Sequence, residues 1–70
     1  MAKIKRGPVG TIIRDLRRTQ DLTQEELAKK AHLDRGHLGR IETGTTVPGL
    51  LTLIRIAKAL RVPPGSLLAA

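Results

Sequence analysis

The apolar residues of this chain recur at helical spacing and show no alternation typical of strands. Two stretches carry clear apolar stripes and predict helices over residues 9–20 and 50–60. The stripe of the second stretch consists of Leu50, Leu53, Ile54, Ala57 and Leu60, with Ile56 beside it. A short fifth helix is predicted in "PGSLL", where Pro64 falls in the first turn. The pattern predicts an all-α fold, a compact domain of five short helices.

Capping residues predict two further helices between these stretches. Thr23, followed three residues later by Glu26, forms the pattern of a capping box at the start of helix 2. Asp34 is a good N-cap for helix 3, which should end near residue 43, before a left-handed Gly44. His32 stands at the break between them, where a positive φ is expected, and histidine is among the residues that tolerate it. Helix 2, the break and helix 3 have the spacing of a helix-turn-helix.

The composition of the chain is strongly basic. The 70 residues have a formal net charge of +7, which favours a polyanionic partner: nucleic acid first, then an acidic membrane surface or an acidic protein. Residues 1–8 are basic and aperiodic, so we expect a flexible arm, either a solvated tail or a segment that follows phosphates, before a domain over residues 9–70. Without cysteine or aromatic residues, the core must be aliphatic. No apolar run or signal peptide directs the chain to a membrane, so we expect a cytoplasmic protein.

Four ordered blocks make the chain more specific than a generic helical hairpin. They are "LTQEELA", "LGRIETG", Pro48 four residues after Gly44, and "LLTLIRIAKAL". Over residues 9–68 the chain resembles the Cro/λ-repressor-like (Xre-like) helix-turn-helix family. The resemblance implies a five-helix DNA-binding domain that regulates transcription as a homodimer on near-palindromic double-stranded DNA, with helix 3 in the major groove. His32, Asp34 and Gly39 depart from the usual turn glycine, Ser/Thr cap and serine of the family.

The outer face of helix 3 is the predicted base-reading surface. A helical wheel turns Leu38, Ile41 and Glu42 inward and Gly36, Arg40 and Thr43 outward. The resemblance implies that four residues face the bases: Arg35, Gly36, His37 and Arg40. Arginine can donate two parallel hydrogen bonds to guanine O6 and N7, so we expect guanines in each half-site. Gly36 would let the helix backbone approach the bases, although it could also be a neutral surface glycine.

Further roles follow from the resemblance and from helix ends. Gln24 begins helix 2, where free N–H groups favour phosphate, and the resemblance makes it a phosphate clamp rather than a surface filler. Three threonines offer hydroxyls to phosphate or are ordinary turn residues: Thr43, Thr45 and Thr46. The resemblance also implies a partly buried ion pair between Arg17 and Glu42. Three late apolar residues are candidates for a dimer surface or for closing the monomer core: Val62, Leu67 and Leu68.

Other classes of function compete with DNA-binding regulation. An antitoxin or similar interaction module would use the same domain, and a restriction–modification controller suits the short length. An enzyme is not expected. His32 and His37 are five residues apart, which does not suit two metal ligands on one helical face, and the sequence has no HExxH motif or phosphate-binding loop. We therefore expect no metal, no cofactor and no small-molecule substrate.

Overall fold

The computed structural model describes residues 9–68, in which four α-helices precede a single 3₁₀-helix and no strand occurs. The helices are α1 (Val9–Thr19), α2 (Gln24–Ala31), α3 (Arg35–Thr43) and α4 (Leu50–Leu60), and the 3₁₀-helix is Pro64–Leu67. The chain is therefore all-α with a helix-turn-helix formed by α2 and α3. The predicted basic arm, residues 1–8, lies outside the described residues.

The short fifth helix predicted in "PGSLL" is a single 3₁₀ turn over residues 64–67, so the count of five α-helices is not confirmed. Pro63 and Pro64 have no backbone N–H to donate, and Gly65 has a low helix propensity. The segment closes with the shorter i→i+3 bonds of a 3₁₀-helix, from Ser66 N–H to the Pro63 carbonyl and from Leu68 N–H to the Gly65 carbonyl.

The ends of α2 and α3 follow the capping residues read from the sequence. Thr23 and Glu26 form the complete capping box of α2, and the Asp34 carboxylate accepts from the His37 backbone N–H at 3.2 Å. His32 ends α2 with φ 58°, and Gly44 ends α3 with φ 87°. These two left-handed residues reverse the chain and set how α2 and α3 lie against each other.

The core is aliphatic, and all four α-helices and the 3₁₀-helix contribute to it. Its buried members are Ile13, Leu27, Ala28, Ala31, Leu38, Ile41, Leu53, Ile56, Ala57, Leu60 and Leu67. Leu67 has no exposed surface, because the 3₁₀-helix packs against α1 and α4. Its proposed place in a dimer surface is therefore wrong, and it closes the monomer core. Val62 is half-buried against the same core, whereas Leu68 is 58% exposed.

The buried face of α4 is rotated from the stripe predicted for it. Ile56 is fully buried, whereas Leu50, which was assigned to the core stripe, is 69% exposed. Since α4 is apolar around most of its circumference, the pattern alone does not fix which face packs against α2. Leu50 lies with Val47 and Leu51 among the exposed large apolar side chains, at the start of the helix.

The closest approach between α1 and α3 depends on a glycine that the sequence reasoning missed. Gly10 is buried, and a Cβ placed on it would overlap the Ile41 carbonyl oxygen and lie 2.9 Å from that of Glu42. Both obstacles are backbone atoms, so the two helices would have to separate to admit a side chain. Gly10 therefore fixes how near α3 lies to α1.

Candidate nucleic-acid interface

Helix α3 has one buried face and one face open to solvent. Leu38, Ile41 and Glu42 are buried, while the outer residues are exposed, as the helical wheel indicated. The exposed set consists of Arg35, Gly36, Arg40 and Thr43, and His37 and Gly39 are half-buried at the flanks. The face predicted to meet the bases is therefore accessible in the folded domain.

Gly36 lies beneath the side chain of Arg40 on this outer face. A Cβ on Gly36 would be 3.5 Å from Arg40 Nη1 and 3.1 Å from Asp34 Oδ2. Both are the ends of flexible side chains, which can move, so packing within the domain does not require glycine here. The Arg40 guanidinium would be in ordinary van der Waals contact with a Cβ at position 36.

Gly39 faces the side chain of Gln24, which reaches across from α2. A Cβ on Gly39 would be 3.7 Å from Gln24 Oε1 and 3.9 Å from its Nε2, which are ordinary van der Waals separations. Alanine would therefore fit in the domain as it stands. The Gln24 amide lies over Gly39 and does not depend on the absence of a side chain there.

The starts of α2 and α3 lie beside one surface depression. Its lining residues are Arg17, Thr23, Gln24, Glu25 and Arg35. The residue predicted to bind phosphate, Gln24, and one predicted to read bases, Arg35, therefore share a surface. Glu25 adds a carboxylate to the same wall, and Arg17 adds a guanidinium.

Beneath this depression, three helices meet at a buried ion pair. Arg17 of α1 donates from Nε to Glu42 Oε2 at 2.8 Å and from Nη2 to Glu42 Oε1 at 3.0 Å. Arg17 Nη1 donates to the Leu22 carbonyl at 2.8 Å. The two side chains are 10% and 1% exposed, so this is the partly buried pair that the resemblance implied. Its parallel bonds orient α3 against α1.

The Glu42 carboxylate also holds Gln24, a contact that the sequence reasoning did not anticipate. Gln24 Nε2 donates to Glu42 Oε1 at 3.0 Å, so this one oxygen accepts from α1 and from α2. Gln24 and Glu42 are 18 residues apart, and no local spacing rule connects them. Their contact depends on how α2 packs on α3.

The threonines at the end of α3 are hydrogen-bonded to its last turn. The Thr43 and Thr45 hydroxyls are hydrogen-bonded to each other at 2.8 Å and lie 3.2 and 3.3 Å from the Arg40 carbonyl, so one hydroxyl donates to the other, which donates to the carbonyl. The backbone N–H groups of Thr45 and Thr46 donate to the same carbonyl. A phosphate would have to compete with these bonds for the hydroxyl protons of Thr43 and Thr45. The half-buried Thr46 makes no side-chain hydrogen bond within residues 9–68.

The exposed start of α2 also carries a perturbed carboxylate. The Thr23 backbone N–H donates to Glu26 Oε1 at 2.8 Å, and this bond lowers the pKa of Glu26 below its usual range. The Thr23 hydroxyl lowers the pKa further, and Lys30 contributes a smaller electrostatic effect in the same direction. Glu26 is therefore charged at neutral pH, and its carboxylate accepts the Thr23 backbone N–H at the start of α2.

Across residues 9–68, no three His, Asp or Glu side chains are grouped so that they could bind one metal ion. None of the helices there has the length and apolar character needed to cross a membrane.

Comparison with known proteins assigns the fold to a family. The helix-turn-helix family matches residues 13–67, and the chain belongs to it. The immunity repressor protein of Bacillus phage phi105 is 43% identical over 54 residues, which cover 77% of this chain and 38% of that protein. The chain spans only 24% to 54% of the first three curated relatives.

Solved structures give the same fold over nearly full domains. The restriction-modification controller protein C.AhdI from Aeromonas hydrophila is 36% identical, with a TM-score of 0.83 over 84% of this chain and 89% of that one. SinR, described as the master regulator for biofilm formation and solved in complex with DNA, is 28% identical, with a TM-score of 0.82. That match covers 86% of this chain and 97% of the SinR chain. SinR from Bacillus subtilis is also represented by its N-terminal DNA binding domain.

Proposed function

We propose that this protein is a sequence-specific regulator of transcription that binds double-stranded DNA with α3 in the major groove. The observation that carries the proposal is the exposed outer face of α3, in a fold similar to the SinR chain solved with DNA. Arg35 and Arg40 are exposed at the start and on the outer face of this helix. A net charge of +7 further favours a polyanionic partner.

Within this proposal the residues divide between bases and phosphates. Four residues of α3 face the base edges: Arg35, Gly36, His37 and Arg40. Gln24, at the start of α2, and the threonines at the end of α3 contact phosphates on either side. The threonines are Thr43, Thr45 and Thr46. The hydroxyl of Thr46 makes no hydrogen bond within the α3 turn, unlike those of Thr43 and Thr45. The ion pair between Arg17 and Glu42 holds α3 against α1.

The experiment that tests this function is selection of bound duplexes from a random DNA pool. The wild-type protein should select a motif with guanines, and Arg35→Ala and Arg40→Ala should each lose base preference at defined positions. Arg55→Ala is the matched control, since it removes the same charge from an exposed site on α4 and should retain the motif. Affinity should fall steeply with salt as counterions are released. A flat salt response, or unchanged motifs in both α3 variants, would contradict the assignment.

The protein, in this proposal, binds as a homodimer to an operator whose two half-sites are about 34 Å apart. Of the three dimer candidates, Leu68 retains a largely exposed side chain, and the half-buried Val62 lies six residues before it. A two-fold axis near Leu68 would cover this surface in both subunits. Such a regulator would act in the cytoplasm, at the nucleoid.

A narrower function within the same class is control of a restriction–modification system. The similarity to C.AhdI favours it, because this chain covers 89% of that controller protein. Sequencing the adjacent genes tests the idea directly. Neighbouring methyltransferase and endonuclease genes would support a controller, whereas a neighbouring toxin gene would support the antitoxin alternative.

A further inference from the structure

We infer that Glu42 is a positioning residue for DNA binding, because its carboxylate fixes the amide of Gln24 in the orientation that can donate to a phosphate. This inference rests on the function proposed above. It assigns the buried ion pair a second task beyond holding α3 against α1. The structural basis is the shared oxygen, Glu42 Oε1, which accepts from both Arg17 and Gln24.

The chemistry of the glutamine amide explains why an anchor matters. One end of the amide carries two N–H donors and the other end is an acceptor, and a free side chain can present either end. A phosphate accepts hydrogen bonds but has none to donate at neutral pH. Glu42 Oε1 takes one proton from Gln24 Nε2, so the nitrogen end is held in place and keeps a second proton for the ligand.

The surroundings of Glu42 remove two objections to this arrangement. Arg17 makes two hydrogen bonds to Glu42, so the carboxylate beneath the depression is balanced by a guanidinium and does not present an uncompensated negative charge. The amide has room to lie across α3, since even a Cβ at position 39 would be 3.7 Å from Gln24 Oε1. The anchored amide therefore lines the same depression as Arg35, beside the start of α2.

The hydrogen bond from Gln24 to Glu42 is tested first in the free protein. The chain contains two glutamines and no asparagine, so side-chain amide NMR spectra hold two pairs of signals, from Gln20 and Gln24. Gln24→Ala assigns them. The Gln24 Nε2 proton that is bonded to Glu42 should exchange slowly, and Gln20, which donates to the Leu60 carbonyl at 2.7 Å, is the internal reference. Exchange of this proton at the rate of a fully solvated glutamine would overturn the inference without any further variant.

The effect on binding is measured by a double-mutant cycle on the best duplex recovered by selection. Gln24→Ala should weaken binding about tenfold, as expected for one charge-assisted hydrogen bond. Glu42→Gln, assayed at low temperature where its NMR spectrum shows a folded domain, should weaken binding several-fold. In the Gln24→Ala background, Glu42→Gln should change affinity less than about twofold, since its effect passes through Gln24.

The outcomes separate this inference from the proposed function. Equal losses from Glu42→Gln in both backgrounds would mean that Glu42 only stabilises the fold, and would overturn the positioning role. Salt-dependent binding of a selected duplex that is unaffected by Gln24→Ala would overturn the inference and leave the proposed function standing. If the wild-type protein selects no duplex at all, both fail.

Discussion

Replacing Glu42 with glutamine should greatly destabilise the domain. The substitution removes the charge from a side chain that is 1% exposed and leaves the Arg17 guanidinium, 10% exposed, without its counter-ion. Glu42 accepts three hydrogen bonds, at 2.8, 3.0 and 3.0 Å, and a neutral amide satisfies fewer of them. Breaking one side of a buried ion pair costs about 3–5 kcal/mol.

That loss is large beside the stability available to so small a domain. At 0.05–0.15 kcal/mol per residue, a chain of this size has roughly 3.5–10 kcal/mol in total. A loss of 3 kcal/mol at about 4 °C per kcal/mol lowers Tm by about 12 °C, and larger values follow from the upper ranges. Thermal unfolding followed by circular dichroism at neutral pH measures the shift.

A matched control is the exposed Glu25→Gln, which removes the same charge near the start of α2 and should move Tm by no more than a few degrees. A second variant separates the effect of an unpaired buried charge from the effect of changed side-chain packing. Replacing Arg17 and Glu42 together with Met and Leu removes both charges and should recover much of the stability. A Tm for Glu42→Gln within 2–3 °C of wild type (about 0.5 kcal/mol) would refute a structural role for the pair.

Four further substitutions test separate features by chemical or thermal unfolding and by sedimentation. Gly10→Ala should lose about 1–3 kcal/mol of stability, because its Cβ would overlap the backbone of α3; unchanged stability would contradict that contact. Gly39→Ala should gain about 0.5–1 kcal/mol from helix propensity, since its Cβ meets only ordinary contacts; a loss would show that the site is tighter than described. The folded domain lowers the pKa of Glu26, so the charge of Glu26 stabilises the domain above about pH 4.3, and this contribution disappears as the pH falls through the folded pKa. Glu26→Gln should therefore be less stable than wild type at pH 7 and equally stable near pH 2. A stability difference that stays constant with pH would count against the capping bond. Leu68→Asp should dissociate the proposed dimer in sedimentation equilibrium while the equally charged control Leu51→Asp does not, and the reverse result would move the interface to the start of α4.

Local signals along the chain predicted the helix ends well. The caps at Thr23 and Asp34 and the left-handed residues His32 and Gly44 depend on short-range hydrogen bonds, and each of these residues sits at a helix end in the structure. The positive φ of Asp21 and Arg61 was not predicted, because no motif spacing singled out either position, although aspartate, like histidine, tolerates a left-handed φ.

Features that depend on packing between helices were harder to predict. The apolar residues of α4 allow more than one buried face, and contact with α2 decides that Ile56 is inside and Leu50 outside. Gly10 looked like any helix-start glycine until the backbone of α3 was placed beside it. The bond from Gln24 to Glu42 joins positions whose proximity only the folded helix-turn-helix creates. The residues of the α3 outer face could be named from the sequence, but the way Arg40 lies over Gly36 could not.

The most direct test of DNA recognition by α3 is an NMR titration of the ¹⁵N-labelled protein with the selected duplex. We predict that the largest backbone and side-chain shifts fall on residues 35–40 and on Gln24, while the exposed positions of α4 change little. Shifts concentrated on α4 or on the outer face of α1, with residues 35–40 unaffected, would contradict this prediction.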